Sequence, residues 1–402
     1  MNKDAYTEKA WSYLVALCNV RPNRRTGSAG NRQAVDFFAN VVGGFGYEVD
    51  ATPFACLDHV NRGASLSSQD EAFEVFTSPY SLGCDAAAEL TTVSSVKDLK
   101  SCNCAGRLLL LKGEICAEQL MPKEFVFYNP DHHKRIYALL EEKRPAGIIT
   151  ATEKKPEQVG AIYPFPLIVD GDFHIPNGYC KDTVGERVAG RSGDVFRLRI
   201  DAERLASTAS NVVARKNPAA AERVVIVAHI DAYEHSPGAS DNASGTAVLL
   251  LLAEMLSAYH GNLGVEIVAF NGEDHYSAAG QMDYLNRYGK EFDGIAVAIN
   301  IDDVGYKKGN SAYSFYDCPA EIKQRAEETF GDFEGIVAGE QWFNGDHMIF
   351  VQNGIGAIAF TAEELSELMA TVTHTAEDRP DIINPKKLVD VALALKSLVQ
   401  QF

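Results

Sequence analysis

The sequence predicts an α/β fold: a mixed, mainly parallel central sheet with helices on both faces, plus a smaller inserted β-rich α/β domain. Three observations carry that expectation. From about residue 206 onward, short Val/Ile/Ala runs alternate with helical patterns in regular order. A less regular stretch over about 53–205 interrupts the chain before that pattern begins. The closing segment NPKKLVDVALALKSLVQQF sets Leu388, Val391, Leu395 and Leu398 at helical spacing, as an amphipathic helix covering the sheet requires.

Taken in order, the first fifty residues hold helical patterns around 4–18 and 31–44 and a short strand near YEVDATPF. These belong with the later sheet, so the expected domains are 1–52 with 206–402, and an insert over 53–205. Within the insert, RLLLLKGEI and AGIIT read as strands around the helix DHHKRIYALLEEK, a small βαβ unit, while YPFPLIVDGDFHIPNG, rich in Pro and Gly, reads as strand and loop. The main pattern then runs strand SNVVAR, strand RVVIVAH, helix TAVLLLLAEMLSAY, strand GVEIVAF, helix SAAGQMDYLNRYGKEF and strand IAVAINI.

Composition bounds the function. With 402 residues, 46% of them hydrophobic, the chain can bury the cores of two domains. A formal charge of −18 argues against nucleic acid or an anionic membrane as partner, since both attract basic surfaces. The N-terminal MNKDAYTEKAWSYLVAL is charged and has no apolar core followed by a small-residue cleavage site, so no signal peptide is expected. No run approaches the roughly 18 apolar residues of a spanning helix. Eight cysteines without a secretory signal are expected as thiols in a cytoplasmic protein. The spacing of Cys102 and Cys104, with one residue between them, is too short for a structural zinc site.

The chemistry-bearing residues fall where the strands end. His229-Ile230-Asp231 closes the strand RVVIVAH and places an imidazole at the carboxyl edge of a parallel sheet, where such sheets build their sites. Asp231 can orient that ring through its other nitrogen. Asp241, in GASDNASG ahead of the helix near Gly245, is either an N-cap or a carboxylate bridging two cations. Glu273 and Asp274 follow the strand GVEIVAF. Adjacent side chains there point apart, so one can bind metal while the other faces a reacting water. In IAVAINIDD, strand parity puts Asn300 and Asp302 on one face and favours Asp302 over Asp303 as a ligand. His374 supplies a second imidazole in the polar stretch THTAED.

The ordered pieces HID, PGASDNASG, GED, NIDDVG and HTAED resemble the co-catalytic dizinc exopeptidase family, which includes bacterial leucyl aminopeptidases and glutamate carboxypeptidases. RRTGSAGN near the start and Gly345-Asp346-His347 with FVQNGIGAIAF are similar to further family segments. The likeness covers about 1–50 and 206–402. It implies a zinc exopeptidase fold and two divalent metal ions, one held by His229, Asp241 and Asp302, the other by Asp241, Asp274 and His374. Glu273 would be the base that takes a proton from the attacking water, and Asp231 would orient His229. Many members have Glu where Asp274 stands, which leaves cobalt or manganese open beside zinc at the second metal. The insert resembles a protease-associated domain through GRLLLLKGEI, AGIIT and PFPLIVDGDF.

The resemblance implies an aminopeptidase acting on peptides. The alternatives are a carboxypeptidase or dipeptidase of the same fold, a glutaminyl cyclase-like aminoacyl transferase, and a receptor-like binding module. Whether the chain forms a homo-oligomer stays open.

Overall fold

The computed structural model describes residues 3–69 and 71–402; Met1, Asn2 and Asp70 of the expected domains lie outside the described residues. The chain divides into two compact units, one formed by the residues up to Cys56 together with Thr208–Phe402, the other by Leu57–Ser207.

The first unit is built on an eight-stranded sheet. Its order is Glu48–Asp50, Val212–Lys216, Gly264–Phe270, Arg223–His229, Ile295–Ile301, Ala357–Ala362, Ser311–Tyr316 and Ile336–Ala338. The four strands from Gly264–Phe270 to Ala357–Ala362 are mutually parallel, and antiparallel strands flank them on both sides. The early strand Glu48–Asp50 does join this sheet, antiparallel to Val212–Lys216. Alternation sorts the side chains. Val224, Ile226, Ala228, Val265, Ile267, Val297 and Ile299 enter one core with the helices Lys3–Cys18, Ala29–Gly43, Gly245–Met255 and Pro385–Val399. On the other face Phe270 meets Tyr284 and Phe350. The helix Gly245–Met255 has nine consecutive buried residues, Gly245 to Ala253, so it is a core helix without a polar stripe.

The second unit has its own eight-stranded sheet, in which Leu108–Leu111, Gly147–Thr152 and Asn177–Lys181 run parallel. The helix Asp131–Lys143 connects the first two of these strands. Element ends differ from the sequence expectation, as three cases show. The strand in RLLLLKGEI stops at Leu111 and turns at Gly113–Cys116. In YPFPLIVDGDFHIPNG the strand begins only at Asn177. The helix over SAAGQMDYLNRYGKEF is regular only over Ala279–Tyr288 and tightens afterwards. Apolar content marks where an element passes through a core, but its end depends on where neighbouring strands stop offering hydrogen bonds.

Candidate metal centre

His229 is the last residue of the Arg223–His229 strand, and its ring is 1% exposed. The carbonyl of His229 accepts a hydrogen bond from Thr246 Oγ1 at 2.9 Å, which ties the strand end to the buried helix. Asp241 comes from the irregular turn Ala239–Ser244, where Asp241 and Asn242 both leave helical backbone values. Two devices fix that turn. Asp378 accepts from the backbone N–H of Ser240 at 2.7 Å and of Asp241 at 3.1 Å. Asn242 accepts from Gly245 N at 2.9 Å and donates to the Ile301 carbonyl at 2.8 Å. Helix capping therefore falls to Asn242, and the carboxylate of Asp241 faces the histidines.

Close approach makes this possible. A Cβ on Gly245 would lie 2.2 Å from the Ile301 carbonyl oxygen, so only glycine lets the helix start touch the strand that leads into Asp302. Gly280 does the same against the carbonyl of Asn271, at 2.0 Å.

The two oxygens of Asp241 serve different rings: Oδ1 lies 3.0 Å from His229 Nε2, and Oδ2 lies 3.0 Å from His374 Nε2. Asp302 Oδ1 lies 3.5 Å from His229 Nε2, and Asp274 Oδ1 lies 3.2 Å from His374 Nε2. The five ligand candidates thus form two sets sharing Asp241. Tyr233 stacks on His374 with ring centroids 4.7 Å apart. Asp303, the alternative to Asp302, takes a left-handed backbone with φ of 56°.

Asp231, expected to orient His229, lies beside that ring with its Oδ1 3.7 Å from His229 Nδ1. It also accepts from the backbone of the next strand exit, from Gly272 N at 2.7 Å and from Asp274 N at 3.1 Å. It therefore shapes the turn that presents Glu273 and Asp274. Beneath lies a network from the N-terminal RRTGSAGN segment: Thr26 donates to Asp231 Oδ2 and Asn271 Oδ1, and Asn31 exchanges two hydrogen bonds with Asn271. Buried Arg24 holds the carbonyls of Ile230, Pro237 and Gly238. The segment was visible in the sequence as a motif. Its function as a scaffold for loops more than two hundred positions away was not.

The electrostatics ask for cations. Burial pushes Glu273 well above the usual carboxylate range, and Asp274, Asp346 and Asp302 push it further. Burial also raises Asp274, Asp302 and Asp303. For the two imidazoles burial works downward but loses to the carboxylates around them, led by Asp302 at His229 and by Asp274 at His374, so both rise well above the ordinary histidine value. Asp241, desolvated yet facing both rings, is held low. Several carboxylates sharing one buried edge repel one another unless positive charge joins them. His229 Nε2, Asp274 Oδ2 and Asp302 Oδ1 are buried and make no hydrogen bond of acceptable geometry. An oxygen- and imidazole-rich donor set of this kind fits two divalent ions of the zinc type.

Asp346 was quoted in the sequence only as part of a segment. It is fully buried, accepts from Gln281 Nε2 at 2.6 Å and is pushed by burial up to about 7. A separate group, Glu118, His132 and His133, also has ligand-type side chains within reach of one another. There the buried ring of His133 accepts from Met121 N through Nδ1 at 3.0 Å, so a neutral ring carries its proton on Nε2, 3.1 Å from Glu118 Oε1. That nitrogen turns an N–H, not a lone pair, toward the carboxylate, so His133 is not arranged as a metal ligand.

Residues 211–399 match the model of peptidase family M28. Among curated relatives, aminopeptidase YwaD of Bacillus subtilis (strain 168) is 27% identical over 230 residues, 56% of this chain and 50% of that protein. The aligned part thus spans half the length of that relative. Among solved structures, an aminopeptidase from Aneurinibacillus sp. strain AM-1 superposes with a TM-score of 0.75 at 21% identity, over 98% of this chain and 93% of the other. BSAP, a zinc aminopeptidase from Bacillus subtilis, superposes with a TM-score of 0.77 at 20% identity, over 98% and 95%. These likenesses show that the chain shares the fold of those two aminopeptidases.

Proposed function

We propose that this chain is a dimetal aminopeptidase of the M28 type that hydrolyses the N-terminal residue from peptides. The observation that carries the reading is Asp241, whose two carboxylate oxygens each face a different buried imidazole, with Asp302 and Asp274 completing the two sets. In this reading His229, Asp241 and Asp302 hold one ion, and Asp241, Asp274 and His374 the other. Zinc is favoured by the donor types, with cobalt or manganese open at the set containing the shorter carboxylate Asp274. Bound ions of this kind lower the pKa of a coordinated water toward about 7 and polarise a carbonyl.

The chain's own groups do the rest. Glu273 stands next to the ligand Asp274 on a turn held by Asp231, and its raised pKa suits a group that accepts a proton and later returns it to the leaving amine. Asp231 sets the turn, and Asp378 sets the backbone of the shared carboxylate. The unit Leu57–Ser207 is read as a protease-associated-like insert. A cytoplasmic setting suits eight cysteines that form no disulfide among the described residues.

The test is Glu273→Gln. Release of arylamine from aminoacyl arylamides should fall by about 10²- to 10⁴-fold, the range for losing a general base, while elemental analysis still finds close to two metal ions per chain. If metal-replete protein cleaved only from the carboxyl end, or acted equally on peptides with blocked N-termini, the aminopeptidase reading would be wrong. Loss of ammonia from an N-terminal Gln peptide, in place of free Gln, would assign the same site to cyclisation.

A further inference from the structure

The turn that follows Asp302 closes around a single side chain. Lys387 Nζ lies 2.5 Å from the carbonyl oxygen of Tyr306, 3.3 Å from that of Lys307, 3.4 Å from that of Lys308 and 2.5 Å from that of Gly309. Four consecutive backbone carbonyls converging on one point is the arrangement by which proteins replace the hydration shell of a potassium-sized ion. An ammonium group has only three N–H donors, so it cannot hydrogen-bond all four at full strength.

Its location adds a second observation. Lys387 sits in the first turn of the helix Pro385–Val399, where the helix dipole disfavours a cation, and that turn holds no acidic residue. Burial costs the ammonium part of its hydration and draws its pKa down, and Glu363 acts in the opposite direction. Glu363 itself is fastened to the far end of the turn, accepting from Asn310 N at 2.8 Å and from Asn310 Nδ2 at 2.9 Å. A lysine placed against the helix dipole needs a compensating field, and the four carbonyl dipoles supply one.

We propose that the carbonyls of Tyr306, Lys307, Lys308 and Gly309 form a monovalent-cation site, which Lys387 fills with its own ammonium group. The consequence is positional. The same turn is tied to the chain beyond His374 by Lys307 N to the Ile382 carbonyl at 2.9 Å and by Asn384 N to the Gly305 carbonyl at 2.8 Å. Lys387 therefore locks the segment leaving Asp302 to the segment leaving His374, one ligand candidate from each set. The inference stands on backbone geometry and does not depend on the aminopeptidase reading.

The experiment compares Lys387→Ala with the natural chain by thermal unfolding in potassium, ammonium, lithium or choline chloride at equal ionic strength. The natural protein should unfold at the same temperature in all four salts. The variant should be several degrees less stable in choline or lithium and recover most of that loss in potassium or ammonium, which match the vacated space. Lys387→Met, whose apolar stem fills the space without charge, should be destabilised and gain nothing from potassium. The proposal is overturned if K387A unfolds identically in every salt, or if K387M responds to potassium as K387A does. If K387A does not accumulate as folded protein, the yield of refolded K387A in potassium against choline gives the same comparison.

Discussion

Asp241 can face two imidazoles at once only because its backbone is held, and the holder is Asp378, which accepts from the N–H groups of Ser240 and Asp241. Changing Asp378 to Asn leaves one acceptor and turns an amide N–H₂ toward a backbone donor. That change should weaken metal binding or activity by about 10- to 100-fold, as losses of ligand-supporting groups do. Competition with a chromogenic chelator measures it, and unchanged affinity together with unchanged turnover would remove Asp378 from this role. The ligand candidates themselves were legible in the sequence because His, Asp and Glu at consecutive strand exits have few other reasons to recur. Asp378 was in plain view inside HTAED, yet its work is to accept from a backbone 137 positions away, and hydrogen bonds to main-chain N–H groups leave no residue pattern at the donor. Asp231 shows the same limit: its place two residues after His229 suggests that it orients the ring, but nothing in that spacing announces its hydrogen bonds to the 272–274 turn.

Between elements, the decisive contact is the start of the Gly245–Met255 helix against the end of the Ile295–Ile301 strand. Gly245→Ala would set a methyl 2.2 Å from the Ile301 carbonyl, a backbone atom that cannot swing aside. The cost expected is about 1–3 kcal/mol, typical of forced overpacking. Because Ile301 precedes Asp302, activity should fall by more than the stability loss explains. Urea unfolding and turnover measured on the same preparation test this, and a fully active, equally stable G245A would refute the close-approach argument. Strands and helices were well marked by apolar runs and helical spacing, since burial on one face or both is written in residue type. Their ends were not: the strand at Leu111 and the helix at Tyr288 stop where partners stop, and partners are distant in sequence.

Over the whole site, protonation and metal binding oppose each other. His229 and His374 have pKa values raised by their carboxylate neighbours, so in metal-free protein their stabilising charge is present below the unfolded histidine value and is lost as pH rises through the raised one. Glu273, Asp274 and Asp302 are also raised, so their burial penalty applies at high pH and is relieved as pH falls. Both signs make the metal-free protein relatively more stable in acid. Metal ligands must be deprotonated, so metal-bound protein gains most at neutral to alkaline pH. The difference in melting temperature with and without chelator should therefore narrow steadily from pH 8 to pH 5, and a gap that stays constant would contradict this account of the site. The sequence alone determined the α/β layering, the sheet edge that carries the site and the residue types found there, because periodicity and motif order are local properties. The tertiary structure decided which oxygen of Asp241 faces which histidine, that Asp231 and Asp378 hold backbones, and that Lys387 fills a ring of carbonyls. Those outcomes depend on distances between segments far apart in the chain, and only packing sets such distances.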